Sequence, residues 1–173
     1  RLENLWISSS SWDGTTGALG YGLDIEASAI ASNVTVASFK KSGVFFHNDA
    51  SGVGPYESLF TNVNSVTNGQ HGFLVGAGAN SITLQSCQAK WNGAPSWNVV
   101  PSVGGNYDGV YIANTSDGAG PYYSMNPTSL TMIGGDYSYN SRYGVNVYEA
   151  QSLWMNGGYA ELNLSANSHQ HCI

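Results

Sequence analysis

The chain alternates apolar and polar residues in short runs that each begin at a glycine. The pattern occurs at Gly22, Gly43, Gly72, Gly109 and Gly144, as in the segment Gly-Val-Tyr-Ile-Ala that starts at Gly109. Alternation with a period of two predicts β-strands with one face turned inward. No segment keeps a period near 3.6 residues, so we expect few helices. Glycine before each strand predicts a sharp turn through positive φ.

A second apolar segment precedes the later glycines, and an asparagine follows ten positions after each segment begins. The segment starts and their asparagines are Ile82 with Asn92, Leu130 with Asn140, and Leu153 with Asn163. Asn68 takes the same place one repeat earlier, four residues before Gly72. Asparagine is favoured at turns because its amide bonds to nearby backbone. We therefore expect these asparagines to form a ladder that joins successive turns.

Units of this kind bury their apolar faces only by stacking, with strands roughly 4.8 Å apart. Aligned on the glycines, two inward columns contain only apolar residues. The columns are Leu23, Val44, Phe73, Val110, Val145 and Ile25, Phe46, Val75, Ile112, Val147. We predict an all-β chain, a single-stranded right-handed parallel β-helix (solenoid) of about five to six coils, forming one domain over residues 1–173. An antiparallel β-sandwich is the alternative.

Composition narrows the classes of partner. Charged residues make up 9% of the chain and hydrophobic residues 42%, and the formal net charge is −6 with five Lys and Arg together. Nucleic-acid binding is not expected, because five cationic side chains cannot neutralise many phosphates. No run of about 18 apolar residues occurs, so membrane insertion is not expected either. Cys87 and Cys172 could form one disulfide or remain free thiols.

From Leu5 to about Asn163, the rhythm of glycine, strand and asparagine turn resembles the pectate-lyase-like superfamily of right-handed β-helices. The Asn-, Ser-, Gly- and Tyr-rich, charge-poor composition is most similar to bacteriophage tailspikes and capsule depolymerases. The resemblance implies a homotrimer outside the cell or on a virion, and a segment of a longer fibre or enzyme. It also implies carboxylate-driven cleavage of bacterial surface polysaccharide, as a glycoside hydrolase or, as second choice, a lyase. No acidic cluster recurs on one strand, so calcium and other cofactors are not expected.

Two loop insertions, 93–105 and 114–128, interrupt the repeat on either side of one strand. Long loops on a rigid scaffold commonly carry binding residues, and Trp and Tyr rings suit the C–H-rich faces of sugars. The predicted sugar-binding residues are Trp91, Trp97, Tyr111, Tyr122 and Tyr123. The alternative is that these aromatics only fix the loops to the coil.

Aligning the coils on the glycines also places Asp108 between His71 and Tyr143, with roughly 5 Å between rungs. We predict Asp108 as the catalytic acid or base, with His71 and Tyr143 as modulators or substrate ligands. The alternative is a hydrogen-bonded turn cluster. A glycosidase needs a second carboxyl roughly 5 to 10 Å away. The candidates for it are Asp117, Asp136 and Glu149.

The outward column of Phe45, Leu74 and Tyr111 is too apolar for a freely solvated face. We expect it to be an intersubunit surface or an aromatic platform under a sugar chain. The tail with His169, His171 and Cys172 is too sparse to predict a metal site. The leading hypothesis is therefore a polysaccharide depolymerase. The alternative is a non-catalytic glycan-binding adhesin or a structural segment of a fibre shaft.

Overall fold

The computed structural model describes residues 1–9, 20–49, 51–93, 107–114, 126–161 and 163. Within these ranges the chain forms twelve β-strands and no helix. It follows that the described part of the chain offers no helix that could cross a membrane. All strand pairs are parallel and fall into two sheets, which we call sheet A and sheet B.

Sheet A consists of β1 (Leu2–Ser8), β3 (Ile30–Ala37), β5 (Leu59–Val66), β7 (Thr83–Gln85), β8 (Gln88–Lys90), β10 (Leu130–Ile133) and β12 (Leu153–Asn156). Sheet B consists of β2 (Leu23–Ile25), β4 (Val44–Phe46), β6 (Phe73–Val75), β9 (Val110–Ile112) and β11 (Val145–Val147). The spatial order is β1-β3-β5-β7-β10-β12 in sheet A, with β8 beside β5, and β11-β9-β6-β4-β2 in sheet B.

The chain passes from one sheet to the other and back, so strands inside each sheet pair with strands of the preceding and following coils, and edge strands pair on one side. A parallel partner two steps away in sequence is what stacked coils produce. Antiparallel hairpins, which a β-sandwich would need, do not occur among the described residues. The prediction of an all-β chain of stacked parallel strands is confirmed, and the β-sandwich alternative is wrong.

The two inward columns of sheet B hold the register that the glycine alignment predicted. Val44 pairs with Leu23 on one side and with Phe73 on the other. The central members of both columns are fully buried. Val147 differs, because 40% of it is exposed. It lies on β11, which has a neighbouring strand on one side only within the described residues.

Sheet A contains strands that the sequence pattern did not predict, because a left-handed residue interrupts their alternation. Asn33 in β3 and Asn62 in β5 have φ angles of 54° and 51°. Such a residue shifts the side-chain alternation by one position, so period-two counting fails across it. The inward side chains nevertheless stack in register, as Phe60 does on Leu84.

The asparagine ladder is confirmed. The Nδ2 amide of Asn68 donates to Oδ1 of Asn92 at 3.0 Å, that of Asn92 to Asn140 at 3.0 Å, and that of Asn140 to Asn163 at 3.2 Å. The backbone N–H groups of the same three donors reach the same oxygens at 2.8 to 3.1 Å. Asn68, Asn92 and Asn140 are fully buried. Buried amides need such partners, so the ladder joins the coils without exposed polar groups.

The glycines before the sheet B strands have a different role from the one predicted. None of the five has a positive φ. A Cβ on Gly72 would lie 2.7 Å from the carbonyl oxygen of Gly109 and 2.8 Å from Nδ2 of Asn92. Glycine is therefore required by the close approach of the next coil and of the asparagine ladder, and the prediction of a left-handed turn at these positions was wrong.

Candidate functional site

Three residues predicted to stack before the sheet B strands do lie on successive rungs. Gly72 donates its backbone N–H to the carbonyl of Asp108 at 3.1 Å, and Gly109 donates to the carbonyl of Tyr143 at 2.8 Å. The backbone N–H of Asp108 donates to Nδ1 of His71 at 3.0 Å. The predicted proximity of these three residues is therefore confirmed, whereas their chemical role depends on what surrounds Asp108.

The carboxylate of Asp108 is fully buried and receives four hydrogen bonds. Arg142 donates Nε–H to Oδ1 at 2.8 Å and Nη2–H to Oδ2 at 2.5 Å. Oδ1 also accepts the backbone N–H of Tyr143 at 3.0 Å, and Oδ2 accepts Nδ2 of Asn146 at 3.1 Å. A two-pronged pair with arginine is a strong, geometrically fixed interaction. This arrangement favours a structural ion pair over a proton-transferring group.

His71 is held as a neutral ring beside this ion pair. Burial, and then the positive charge of Arg142, lower its pKa from 6.5 to about 3. Because Nδ1 accepts the N–H of Asp108, the ring proton is on Nε2. The ring stacks on Tyr111 with 4.7 Å between centroids and meets the edge of Tyr107 at 5.4 Å. Tyr111, which also lies 5.6 Å from the guanidinium carbon of Arg142, is thus packed within the cluster.

The expected exposed apolar column on the outer face of sheet B does not exist. Phe45 is fully buried and Leu74 is nearly so, while Tyr111 is half-buried. The ring of Phe45 lies 4.7 Å from that of Tyr21 and stacks on that of His47 at 4.1 Å. Neighbouring side chains of the same chain cover this column. The prediction of an aromatic platform or intersubunit surface is wrong for Phe45 and Leu74, which this chain itself buries, whereas Tyr111 is only half-buried.

Three titratable side chains that the sequence analysis did not select meet at the first two coils of sheet B. Asp24 and Glu26 project outward from β2 and its end, and both are about half-exposed. Nε2 of His47, one coil later, lies 2.6 Å from Oδ1 of Asp24 and 3.7 Å from Oε1 of Glu26. Nδ1 of His47 lies 2.7 Å from the carbonyl oxygen of Asn48. The imidazole is thereby fixed between a carbonyl and two carboxylates.

A sequence signal for this cluster existed. Asp24 and Glu26 alternate on one strand, and the register that pairs Asp24 with Phe45 brings His47 opposite Glu26. The contact of His47 with Asp24 runs diagonally between two columns, so comparing residues only within one column missed it. No comparable signal identifies Arg142, because its partner is set by the direction of a long side chain.

The proposed second carboxyls are placed differently. Asp117 lies outside the described residues. Asp136 lies on the sheet A side of the coil, where it pairs with Nζ of Lys90 at 2.5 Å. Glu149 accepts the backbone N–H of Asn114 at 3.2 Å. Asp136 and Glu149 thus each have a local partner of their own.

Trp91 is the one predicted sugar-binding tryptophan that the structure describes, and it is 37% exposed. Its ring stacks on that of Tyr139, with 5.6 Å between centroids and 23° between planes. The inserted loops 93–105 and 114–128 lie outside the described residues except at their ends. The same holds for the remaining predicted aromatics, Trp97, Tyr122 and Tyr123.

Within the described ranges, no group of three or more His, Cys, Asp or Glu side chains is arranged to hold a metal ion. His169, His171 and Cys172 lie outside those ranges. Cys87 is a free, buried thiol whose Sγ donates to the carbonyl of Phe60 at 3.2 Å. Burial raises its pKa to about 12, which makes it a poor nucleophile.

Comparison with known proteins gives no match to a family model, to a curated protein or to a solved structure.

Proposed function

We propose that this chain is a right-handed parallel β-helix that hydrolyses a polysaccharide. Crossover connections between parallel strands are right-handed in nearly all proteins, which supports the handedness. The resemblance to tailspikes and capsule depolymerases adds a bacterial surface glycan as substrate, a homotrimer, and a location outside the cell or on a virion.

The observation that carries the proposal is the contact of Asp24 and Glu26 with one nitrogen of His47. Both oxygens lie within 3.7 Å of that nitrogen, so the two carboxyl groups are close neighbours on an open face. Glycosidases place two carboxyls roughly 5 to 10 Å apart on either side of the scissile bond. Here Glu26 donates the proton to the leaving oxygen, and Asp24, held by His47, acts as nucleophile or as base toward water.

Hydrolysis is favoured over elimination because four of the five described Lys and Arg side chains are already engaged, with Lys41 lying 4.8 Å over the ring of Tyr21. A lyase needs a positive group to neutralise a substrate carboxylate. Arg1 pairs with Glu3, and Arg142 pairs with Asp108. Lys90 is likewise bound to Asp136. These side chains therefore suit an uncharged glycan, whose cleavage needs an acid and a base but no cation to bind a substrate carboxylate.

A non-catalytic glycan-binding protein is the second candidate, and one observation favours it. Asp108, the acid that the repeat alignment puts forward, has all its oxygens occupied by Arg142, Tyr143 and Asn146. If the Asp24 and Glu26 pair does not cleave glycans either, the described residues offer binding surfaces alone.

The test is release of reducing ends from a panel of capsular, O-antigen and neutral polysaccharides. Asp24→Asn and Glu26→Gln should each reduce the rate at least about 100-fold, the contribution expected of a lost acid or base. Glu3→Gln, which removes an exposed carboxylate from sheet A, is the matched control and should leave the rate unchanged. Release that persists in both site variants, or no release from any glycan by the wild-type protein, contradicts hydrolysis at this pair.

A further inference from the structure

Sheet A ends in a column of residues with left-handed backbone, one per coil. Ser38, Thr67, Trp91 and Tyr139 have φ angles of 64°, 54°, 55° and 60°. Thr67, Trp91 and Tyr139 each immediately precede an asparagine of the buried ladder, and Ser38 precedes Phe39, whose N–H donates to the first of them. The same turn is therefore built four times, twice with a small hydroxyl residue and twice with an aromatic one.

The turn itself does not require the aromatic rings. Ser38 and Thr67 make it with short side chains, and bulky residues rarely adopt this backbone conformation. Nor does the hydrophobic core require them, since Trp91 remains 37% exposed. Trp91 and Tyr139 therefore occupy strained left-handed positions that neither the turn nor the core requires them to fill. Strained residues of this kind cluster at functional sites, which suggests a functional role for the two rings.

The rings of Trp91 and Tyr139 stack on each other across adjacent rungs, with centroids 5.6 Å apart and planes inclined by 23°, and Trp91 remains 37% exposed. One coil further, Tyr159 is 52% exposed, and its backbone pairs with that of Asp136, three positions before Tyr139. A hydrogen bond to Glu161 is the largest of the influences that raise the pKa of Tyr159 to about 12. The Glu161 carboxylate thereby orients the hydroxyl of Tyr159.

Polar groups border these aromatic rings. The ammonium of Lys90 pairs with the carboxylate of Asp136, which also accepts the hydroxyl hydrogen of Ser138 at 2.6 Å. The backbone N–H of Glu161 donates to the same serine oxygen at 3.2 Å. The border thus places the Glu161 carboxylate beside the ring of Tyr159, and the ammonium of Lys90 is already paired with Asp136.

We propose that Trp91, Tyr139 and Tyr159 form a second glycan-binding site, separate from the cleavage pair, that takes uncharged pyranose units. The exposed parts of the rings pack against the apolar face of the sugar, and the carboxylate of Glu161 accepts its hydroxyl hydrogens. Polyanionic glycans are excluded because Glu161, within a chain of net charge −6, repels them, and Lys90 is already paired with Asp136.

This inference rests on the proposed carbohydrate substrate, but it names a different part of the molecule. Asp24, Glu26 and His47 lie on the outer face of sheet B in the first two coils. The aromatic site lies at the end of sheet A, beside β8 and later coils. Because this site lies away from the cleavage pair, it would bind a long glycan without contacting the bond that is cleaved. Its contribution can therefore be measured as binding affinity, separately from the rate of hydrolysis.

Native gel electrophoresis through gels containing dextran, galactomannan or xyloglucan tests the site, with polygalacturonate as the charged comparison. The cleavage-deficient Asp24→Asn protein is used, so that the gel is not degraded. We expect at least one neutral polymer to retard this protein and polygalacturonate not to. Trp91→Thr and Tyr139→Ser should weaken binding at least about tenfold, the loss expected for a stacking contact.

These two substitutions copy the residues that the chain itself uses at the same turn, at Thr67 and Ser38, so the fold should be retained. Trp154→Ala is the matched control, because this tryptophan is 53% exposed on sheet A but is not part of the stack. Retardation that persists in both variants, no retardation by any neutral polymer, or retardation by polygalacturonate alone overturns the inference. Hydrolysis by the wild-type protein is scored separately, so either proposal can fail without the other.

Discussion

Arg142 binds the carboxylate of Asp108 through two side-chain hydrogen bonds, and this carboxylate is fully buried. The two residues lie on successive coils, 34 positions apart in sequence. Their pairing satisfies a charge that stacking would otherwise leave unpaired in the interior. His71, whose Nδ1 accepts the backbone N–H of Asp108, stays uncharged because burial, and then the charge of Arg142, lower its pKa.

Removing the guanidinium should destabilise the fold. Arg142→Ala leaves the buried Asp108 carboxylate unpaired, which costs about 3 to 5 kcal/mol. The free energy of unfolding, measured in urea, should fall by that amount. Arg1→Ala breaks an exposed ion pair with Glu3 and should change it by less than about 1 kcal/mol. Equal effects of the two substitutions would show that the buried pair is not what stabilises this region.

The buried asparagine ladder should contribute more to the free energy of unfolding than the exposed hydrogen bond between Asn62 and Asn33. Asn92→Ala leaves Asn68 and Asn140 without partners in the interior and should cost about 2 to 4 kcal/mol. Asn62→Ala removes an exposed amide that donates to Asn33 at 2.8 Å and should cost about 1 to 2 kcal/mol, mostly because alanine is strained at its φ of 51°. Denaturant midpoints measure both. A larger loss for Asn62→Ala would contradict the role assigned to burial.

Gly72→Ala tests whether close packing, and not backbone conformation, demands glycine before the strands. Its new methyl group would lie 2.6 Å from Cβ of Ala89 and should cost about 1 to 3 kcal/mol through overpacking. Gly20→Ala is the control, since no atom lies within 4 Å of the added carbon. That variant should change the unfolding free energy by less than about 0.5 kcal/mol. Equal stability of the two variants would refute the packing explanation.

Stability should fall in mild acid because of His71. Its pKa is about 3 in the folded chain and 6.5 in the unfolded one, so between these values the unfolded state binds more protons. The contribution is fully present above pH 6.5 and decreases by about 1.4 kcal/mol per pH unit as the pH falls toward 3. Comparing unfolding at pH 7 and pH 5, His71→Gln should lose about 2 kcal/mol less than the wild-type protein. An unchanged pH dependence would contradict the predicted burial of a neutral ring.

Sequence reasoning succeeded where a repeat forces like residues onto neighbouring rungs. The inward columns through Val44 and Phe46, the ladder through Asn92, and the stacking of His71, Asp108 and Tyr143 all follow from the spacing of glycine and asparagine. It failed where contacts run diagonally or depend on long side chains. His47 reaches Asp24 across two columns, and Arg142 reaches back to Asp108, neither of which the spacing contains.

By itself, the sequence determined the parallel stacking of coils, because apolar side chains with period two can be buried only when each coil covers the next. Only the tertiary structure decided which outward residues are covered and which are open. Phe45 became buried under neighbouring rings, whereas Trp91 stayed accessible at a corner. Exposure of an outward side chain depends on what packs over it in three dimensions, and the period of a strand carries no information about that.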